Sequence, residues 1–361
     1  MKMTLIFFQN CVSPHQMPYI KELHKFDGVE KVFLFVPRVD YDERKDLGWC
    51  AKEYLDAVGV EVCVSPSDDA VRKALVGKGR VIAVFNGIRA DVDVFRWFKL
   101  SLDYKVERAL FQEPPFTFKY PLWLHKVRFF FQDKKYVKHF KYVLAVGPDS
   151  ASYFHGWSED WKIVPFMYCT ELVGDAQAQY QQSSTFRLCF VGSLTKRKNV
   201  GVLLRALSSL KDESRIRLDV VGDGELRKVH EAFVKEKGMT EAVSFRGVVP
   251  MSEISDIVSQ CDVLVLPSLH DGWGAVVNEA LMVGTYVVVS DKCGVRALIQ
   301  DKRLGLVFKS DDEQSLCEAL SRSLVWAKKE DLNFSRAWRR EWAARNISGK
   351  AVAKRLLDAL S

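Results

Sequence analysis

Hydrophobic and polar positions follow one another in a repeating order along the chain. In the first half, short branched or aromatic runs recur as "TLIFF", "KVFLFV", "VEVCVS", "VIAVFN", "ERALFQE" and "YVLAVG". In the second half they recur as "FRLCFVGS", "RIRLDVVGDG", "VSFRGVV", "DVLVLPS", "TYVVVSD" and "GLVFK". Most are continuously apolar rather than alternating, as parallel strands covered on both faces should be. Between them lie stretches of helical spacing, such as 199–211 and 225–237. Strand–helix–strand repeated in both halves predicts two doubly wound α/β domains. The polar segment "TELVGDAQAQYQQSSTF" divides them. We therefore expect a domain over 1–168, a linker over 169–185, a second domain over 186–335 and a helical tail over 336–361.

Composition narrows the class. The chain has 361 residues, more than one hydrophobic core usually holds. With 48% hydrophobic and 27% charged residues it is globular, not disordered. A net charge of +7 suits an anionic ligand, a nucleic acid or an anionic membrane and does not choose among them. Eight cysteines sit mostly in apolar runs, and no two are spaced as CxxC. They read as small buried hydrophobes in a reducing cytoplasm. The start "MKMTLIFFQNC" is too short and too soon polar for a leader peptide, and reads as a strand. No run of 18 apolar residues suggests a membrane span. "NIS" at Asn346 fits the glycosylation pattern, with nothing else to suggest secretion.

Candidate chemistry concentrates in the second half. In "FVGSLTKRKNVGVLLRAL", a strand reaches Gly192 and Ser193, and Lys196, Arg197 and Lys198 precede a helix starting near Asn199. Backbone N–H groups at such a helix start, with cationic side chains beside them, suit a phosphate or diphosphate. The alternative is a solvated basic loop. "VVGDGEL" is a tight strand-to-helix turn without the full GxGxxG pattern. In "LVLPSLHDGWGAVVNEALMVG", His270 and Asp271 follow a strand, and Gly272, Trp273 and Gly274 lead into a helix. Val276, Val277, Ala280, Leu281 and Gly284 share its expected buried face, and Glu279 interrupts it. A glutamate there needs a partner or a ligand. Eight wholly helical steps from Asp271 to Glu279 would span about 12 Å. Glycosidase carboxylates lie about 5–5.5 or 6.5–9.5 Å apart. Two anchors at opposite ends of an elongated ligand fit better, although a loop could shorten the span.

These motifs in this order, "FVGSL…KRKN", "VVGDGEL", "FRGVVP" and "LVLPSLHDGWGAVVNEALMVGTYVVVSD", resemble the C-terminal domain of the retaining GT-B glycosyltransferases of family 4, the glycosyl transferases group 1. The resemblance covers about 186–310. It implies a GT-B fold, two Rossmann-like domains facing a cleft, with the tail packing back across them. It implies that Glu279 holds the donor's ribose. Asp271 and the backbone of Gly272, Trp273 and Gly274, with His270 beside them, would hold the donor sugar and diphosphate. Lys198 with Arg197 would neutralise the diphosphate, Gly192 and Ser193 would lie against it, and Arg246 would lie near the base. The family often has Arg where Ser193 stands, and Glu where Asp271 stands.

The first half offers strand-tip residues. Ser13, Pro14, His15 and Gln16 form a turn after the first strand, and His15 resembles a residue of an "SPHQ"-like loop in similar transferases. Otherwise Ser13 and Gln16 merely cap a helix. Glu113, before Pro114-Pro115, and Asn86, before Gly87, are further candidates for acceptor or sugar contact. "DVDVF" contains a DxD triplet of the kind that binds metal in GT-A transferases; isolated here, it reads as coincidence. "FKYPLWLHKVRFFFQDKKYVKHFKY" mixes Lys119, Lys126, Arg128, Lys134, Lys135, Lys138 and Lys141 with aromatic residues. It suits an anionic membrane surface, single-stranded nucleic acid, or a core-facing aromatic helix with basic solvent positions. The tail's Trp338, Arg339, Arg340 and Trp342 either add to that surface or pack back.

The reading that joins these features is a retaining glycosyltransferase acting on a hexosyl unit. The donor is a UDP- or GDP-sugar, and the acceptor a saccharide or polyprenyl-linked glycan for bacterial surface polysaccharide or glycolipid. Asp271, Glu279, Lys198, Arg197 and His15 are its expected catalytic group. No metal or cofactor is called for, and no nucleic acid is an expected partner. The location is the cytoplasm, peripheral to the inner face of the plasma membrane. The rival readings are an inactive sugar-nucleotide-binding relative, marked by Ser193 and Asp271, and a GT-B sugar-nucleotide epimerase. An epimerase should carry acid–base residues for pyrophosphate elimination, and none is identified in this sequence.

Overall fold

The computed structural model describes residues 2–41, 51–77, 79–115, 120–155, 157–158, 160–171, 180, 183–210, 215–329 and 332–361. Lys119 and residues 172–179 and 181–182 of the expected linker lie outside them. The described residues form two compact units. One runs up to Glu171 and includes Ile347–Ser361; the other takes the residues from there to Asn346.

The first unit holds β1 (Met3–Phe8), β2 (Val29–Val36), β3 (Glu61–Val64), β4 (Arg80–Asn86), β5 (Glu107–Gln112), β6 (Tyr142–Val146) and β7 (Lys162–Phe166). They pair in the order β3-β2-β1-β4-β5-β6-β7, all parallel. The second holds β8 (Phe186–Val191), β9 (Ile216–Val221), β10 (Val243–Gly247), β11 (Val263–Leu266), β12 (Tyr286–Ser290) and β13 (Gly305–Phe308). These too are parallel, in the order β10-β9-β8-β11-β12-β13. Both are doubly wound Rossmann-like sheets. In each, the order reverses beside the first strand, between β1 and β4 and between β8 and β11. Ligands of such sheets bind beyond the carboxyl ends of the strands at that reversal.

Continuous apolar runs became central strands because both faces are covered. Every residue of β6, β11 and β12 is buried. In the first unit Phe8 stacks on Phe35 and Phe85, at 5.5 and 4.7 Å between ring centroids. Such rings contribute roughly 1.5–3 kcal/mol each on burial. β7 was not among the expected strands. "KIVPF" carries Pro165, which lacks a backbone N–H, and an edge strand tolerates it. The DxD triplet has a local structural role. Asp91 caps the helix Val92–Ser101 by accepting from the N–H groups of Asp93 and Val94, and it pairs with Arg38 at 3.0 Å.

The tail divides. The helix Leu332–Asn346 belongs to the second unit, and the helix Gly349–Leu360 to the first. The latter buries Val352, Ala353, Leu356 and Leu360. It packs so closely on the Met17–Ile20 turn that a Cβ at Gly349 would stand 2.1 Å from the Pro18 carbonyl oxygen. Arg339 is not a surface residue: it is 1% exposed and its guanidinium lies over the rings of Tyr286 and Trp326.

Candidate functional site

The second unit gathers its candidates at the β8 and β11 tips. After β8 the chain turns through Gly192 and Ser193 to Thr195, and Lys196–Lys198 form one 3-10 turn. Asn199 takes a left-handed conformation before the helix Val200–Ser209. Lys198 therefore does not cap that helix. Its ammonium donates to Asp271 Oδ2 at 2.6 Å, and Arg197 Nη1 lies 3.7 Å from the same oxygen. Arg197 also donates to the His270 carbonyl at 3.0 Å. The β8 loop and the β11 loop are thus joined by one ion cluster at the reversal of strand order. A Cβ at Gly192 would stand 3.6 Å from Lys198 Cε, so the lysine stem crosses directly over the strand tip.

Asp271 is not on a helix. It pairs as an isolated bridge with Cys293, and its carbonyl accepts from the Gly294 N–H at 3.0 Å. The straight-helix span to Glu279 does not describe it. Burial disfavours its charge, but the Lys198 ammonium, Arg197 and the Trp273 N–H outweigh burial and hold the carboxyl below its ordinary value. Gly274 has a packing reason: its φ is +104°, and a Cβ would meet Leu266 Cδ2 at 2.6 Å. Trp273 is buried, and its indole N–H donates to Asn278 Oδ1 at 2.8 Å.

The helix Val276–Met282 buries Val277, Asn278, Glu279, Ala280, Leu281 and Met282. Val276 is only half-buried, contrary to the periodicity. Glu279 is 8% exposed, and burial pushes its carboxyl up to about 7. Just past the helix lies Gly284, whose φ is +84° and whose carbonyl accepts from Arg339 Nε at 2.7 Å. Beside it Arg336 donates to the Cys261 carbonyl at 2.9 Å. The helix Leu332–Asn346 thereby grips the elements that carry Glu279. Arg246 projects from β10 and pairs with Asp219 at 2.9 Å.

In the first unit His15 and Glu113 share a neighbour, Tyr168, which sequence reasoning missed. The Tyr168 hydroxyl donates to Glu113 Oε1 at 2.5 Å, and its ring meets His15 edge-on at 6.4 Å. A tyrosine beyond an unexpected strand gave no periodic signal. Asn86 donates to Asn10 at 3.3 Å across the β4 and β1 tips. Gln16 makes no side-chain cap; its amide oxygen accepts from Gln9 and Tyr19. Among the described residues no group of three or more His, Cys, Asp or Glu could hold a metal ion.

Residues 176–337 match the family model of the glycosyl transferases group 1. A 2-deoxystreptamine glucosyltransferase of Streptomyces kanamyceticus is 37% identical over 99 residues, 27% of this chain and 26% of that protein. A D-inositol 3-phosphate glycosyltransferase of Corynebacterium urealyticum is 29% identical over 177 residues, 47% of this chain and 41% of that one. The chain therefore spans well under half the length of these relatives. Among solved structures, a glycosyltransferase from Rickettsia africae superposes with a TM-score of 0.71 at 14% identity, over 99% of this chain and 97% of that one. Anabaena HepE in complex with UDP gives 0.68 at 14% identity, over 100% and 99%. The chain has the GT-B fold, and most of its second unit is similar to the glycosyl transferases group 1.

Proposed function

We propose that the protein is a retaining glycosyltransferase that moves a hexosyl unit from a nucleoside diphosphate sugar to a saccharide or lipid-linked saccharide. The observation that carries this reading is the Lys198–Arg197–Asp271 cluster at the reversal of the second sheet. Two cations held there suit a diphosphate, and the single carboxylate between them suits sugar hydroxyls. Glu279, buried beyond a short loop on the next helix, suits the ribose diol. In the reaction the anomeric carbon–oxygen bond to the diphosphate breaks, and one to the acceptor hydroxyl forms on the same face. The acceptor's proton passes to the departing diphosphate. Lys198 and Arg197 stabilise the charge that develops on that leaving group. Anabaena HepE was also solved with UDP-glucose, which makes that donor the first to try.

The acceptor is assigned to the first unit, with His15, Glu113 and Asn86 as its contacts. The helix Leu122–Gln132 supports a lipid-linked acceptor. It exposes Trp123 at 62% and Phe131 at 77%, among exposed Lys126, Arg128, Lys134 and Lys135. This combination suits the inner, anionic face of a plasma membrane. No described helix is long and apolar enough to cross one.

The test is binding and turnover with a panel of nucleotide sugars, reading released nucleotide with and without saccharide acceptors. Absence of binding by every donor sinks the enzyme reading. Donor affinity unchanged in Glu279→Ala sinks the site assignment alone.

A further inference from the structure

Trp273 is held at three points. Its backbone N–H donates to the Asp271 carboxylate. Its carbonyl accepts from the Val295 N–H at 2.8 Å. Its indole N–H donates to Asn278 Oδ1 at 2.8 Å. The first contact reaches the anchor assigned to the donor's sugar. The second reaches the loop after β12, and the third the helix that carries Glu279 at the next residue. The loop after β12 presses on the same segment. A Cβ at Gly294 would stand 2.1 Å from the Gly272 carbonyl oxygen, and the Gly294 N–H donates to the Asp271 carbonyl at 3.0 Å.

Of these three contacts, the Asn278 bond alone joins two side chains. Both residues are buried, Asn278 wholly, so Asn278 meets no ligand itself. An apolar residue at 278 would fill that core position with no amide to satisfy. Apolar contact leaves an indole several rotamers to choose between, whereas a buried hydrogen bond has a direction and selects one. The bond fixes the ring, the ring fixes the backbone at Trp273, and the N–H of that backbone fixes the Asp271 carboxylate. Glu279 depends on it less, because its helix has other fastenings, among them Arg339 on the Gly284 carbonyl.

We propose that Asn278 is a positioning residue for the donor's sugar, acting through the Trp273 indole to aim the Asp271 carboxylate and leaving the nucleotide contacts alone. The assignment rests on the glycosyltransferase reading and extends it to a residue that touches no substrate. The experiment compares wild type, Asn278→Leu, Trp273→Phe and the double variant as full chains. Each single change removes one end of the bond and keeps an apolar filling. Calorimetry measures UDP against UDP-glucose and GDP against GDP-mannose. Hydrogen–deuterium exchange of 290–297 is read by mass spectrometry without ligand. We expect the ratio of nucleotide-sugar Kd to nucleotide Kd to rise about tenfold in each single variant and no further in the double, because one bond is lost only once. Bare nucleotide affinity should stay within about twofold of wild type. Exchange at 290–297 should quicken to the same extent in all three variants and stay unchanged in β1 to β7. The proposal is overturned by an unchanged ratio, by effects that add in the double variant, or by exchange that quickens evenly through the second unit, as a packing role alone would give. Should Asn278→Leu fail to fold, Trp273→Phe decides by ratio and exchange. A wild-type protein that binds neither nucleotide sugar overturns the transferase reading, and the exchange pattern then upholds or overturns the bracing of Asp271 by itself.

Discussion

Replacing Glu279 by Gln should make the protein more stable and a worse binder of its donor. Burial raises this carboxyl from 4.5 to about 7. That change corresponds to roughly 3 kcal/mol against the charged form. In the unfolded chain the proton leaves near 4.5; in the folded protein it stays until about 7. Between these values the folded state holds more protons, so stability falls as pH rises through that window and levels off above it. Glutamine has the same shape and no such penalty. The variant should match wild type near pH 4 and exceed it at pH 8 by up to about 3 kcal/mol. For a unit of this size each kcal/mol is worth about 2–4 °C in Tm. Donor binding should move the other way. If the ribose needs the carboxylate, the competent fraction of wild type is about a tenth at pH 6 and about nine tenths at pH 8. Affinity should then rise about tenfold between them, while Glu279→Gln stays weak and flat. Thermal melts and calorimetric titration with UDP-glucose at pH 4, 6 and 8 check both halves. Equal stability of the two proteins at pH 8 refutes the burial argument, and equal donor affinity refutes the ribose role.

Four other outcomes follow from the geometry of the two units. Lys198→Ala leaves the half-buried Asp271 with Arg197 at 3.7 Å as its nearest cation, and should cost about 1–3 kcal/mol in a urea melt as well as donor binding. Asp271→Asn releases Lys198, so free UDP should bind several-fold tighter while sugar transfer falls; UDP affinity at or below wild type contradicts competition for the lysine. Gly284→Ala places a Cβ 2.6 Å from the Arg336 carbonyl at a φ of +84°, and should destabilise by about 1–3 kcal/mol in the same melt. Trp123→Glu with Phe131→Glu should abolish cosedimentation with anionic liposomes and leave donor affinity unchanged; undiminished cosedimentation rejects the membrane face.

The strands were legible from branched and apolar runs: β11 and β12 are continuous and wholly buried, while "IRLDVV" of β9 and "VSFRG" of β10 interleave polar residues that stay partly or wholly exposed. β7 was hidden because Pro165 reads as a breaker unless its place at the sheet edge is known. The acidic and basic residues of the second unit could be named from order and turn chemistry. Their pairing could not, since Lys198 and Asp271 are 73 positions apart and meet only because β8 and β11 are neighbours. Arg339 could be read either as part of a basic surface or as part of a helix packing back, and Arg336 drew no reading. Only the fold reveals that they satisfy carbonyls at the ends of buried elements. Asn278, wholly buried and bonded to Trp273, gave no sign in the helical pattern of why a polar residue belongs there.

The helix Gly349–Leu360 gives the first unit a dependence on time. Its sheet is complete in sequence once β7 has been made, yet Val352, Ala353, Leu356 and Leu360 arrive only after the entire second unit. At about 5–20 residues per second, a nascent chain waits on the order of ten seconds or more for that helix. Throughout this interval the Met17–Ile20 turn lacks its cover, and before it ends the second unit has all its strands. Of the two units, the one translated earlier is therefore the one completed later, and a ribosome stalled before residue 347 would hold a chain whose earlier unit is the less protected one.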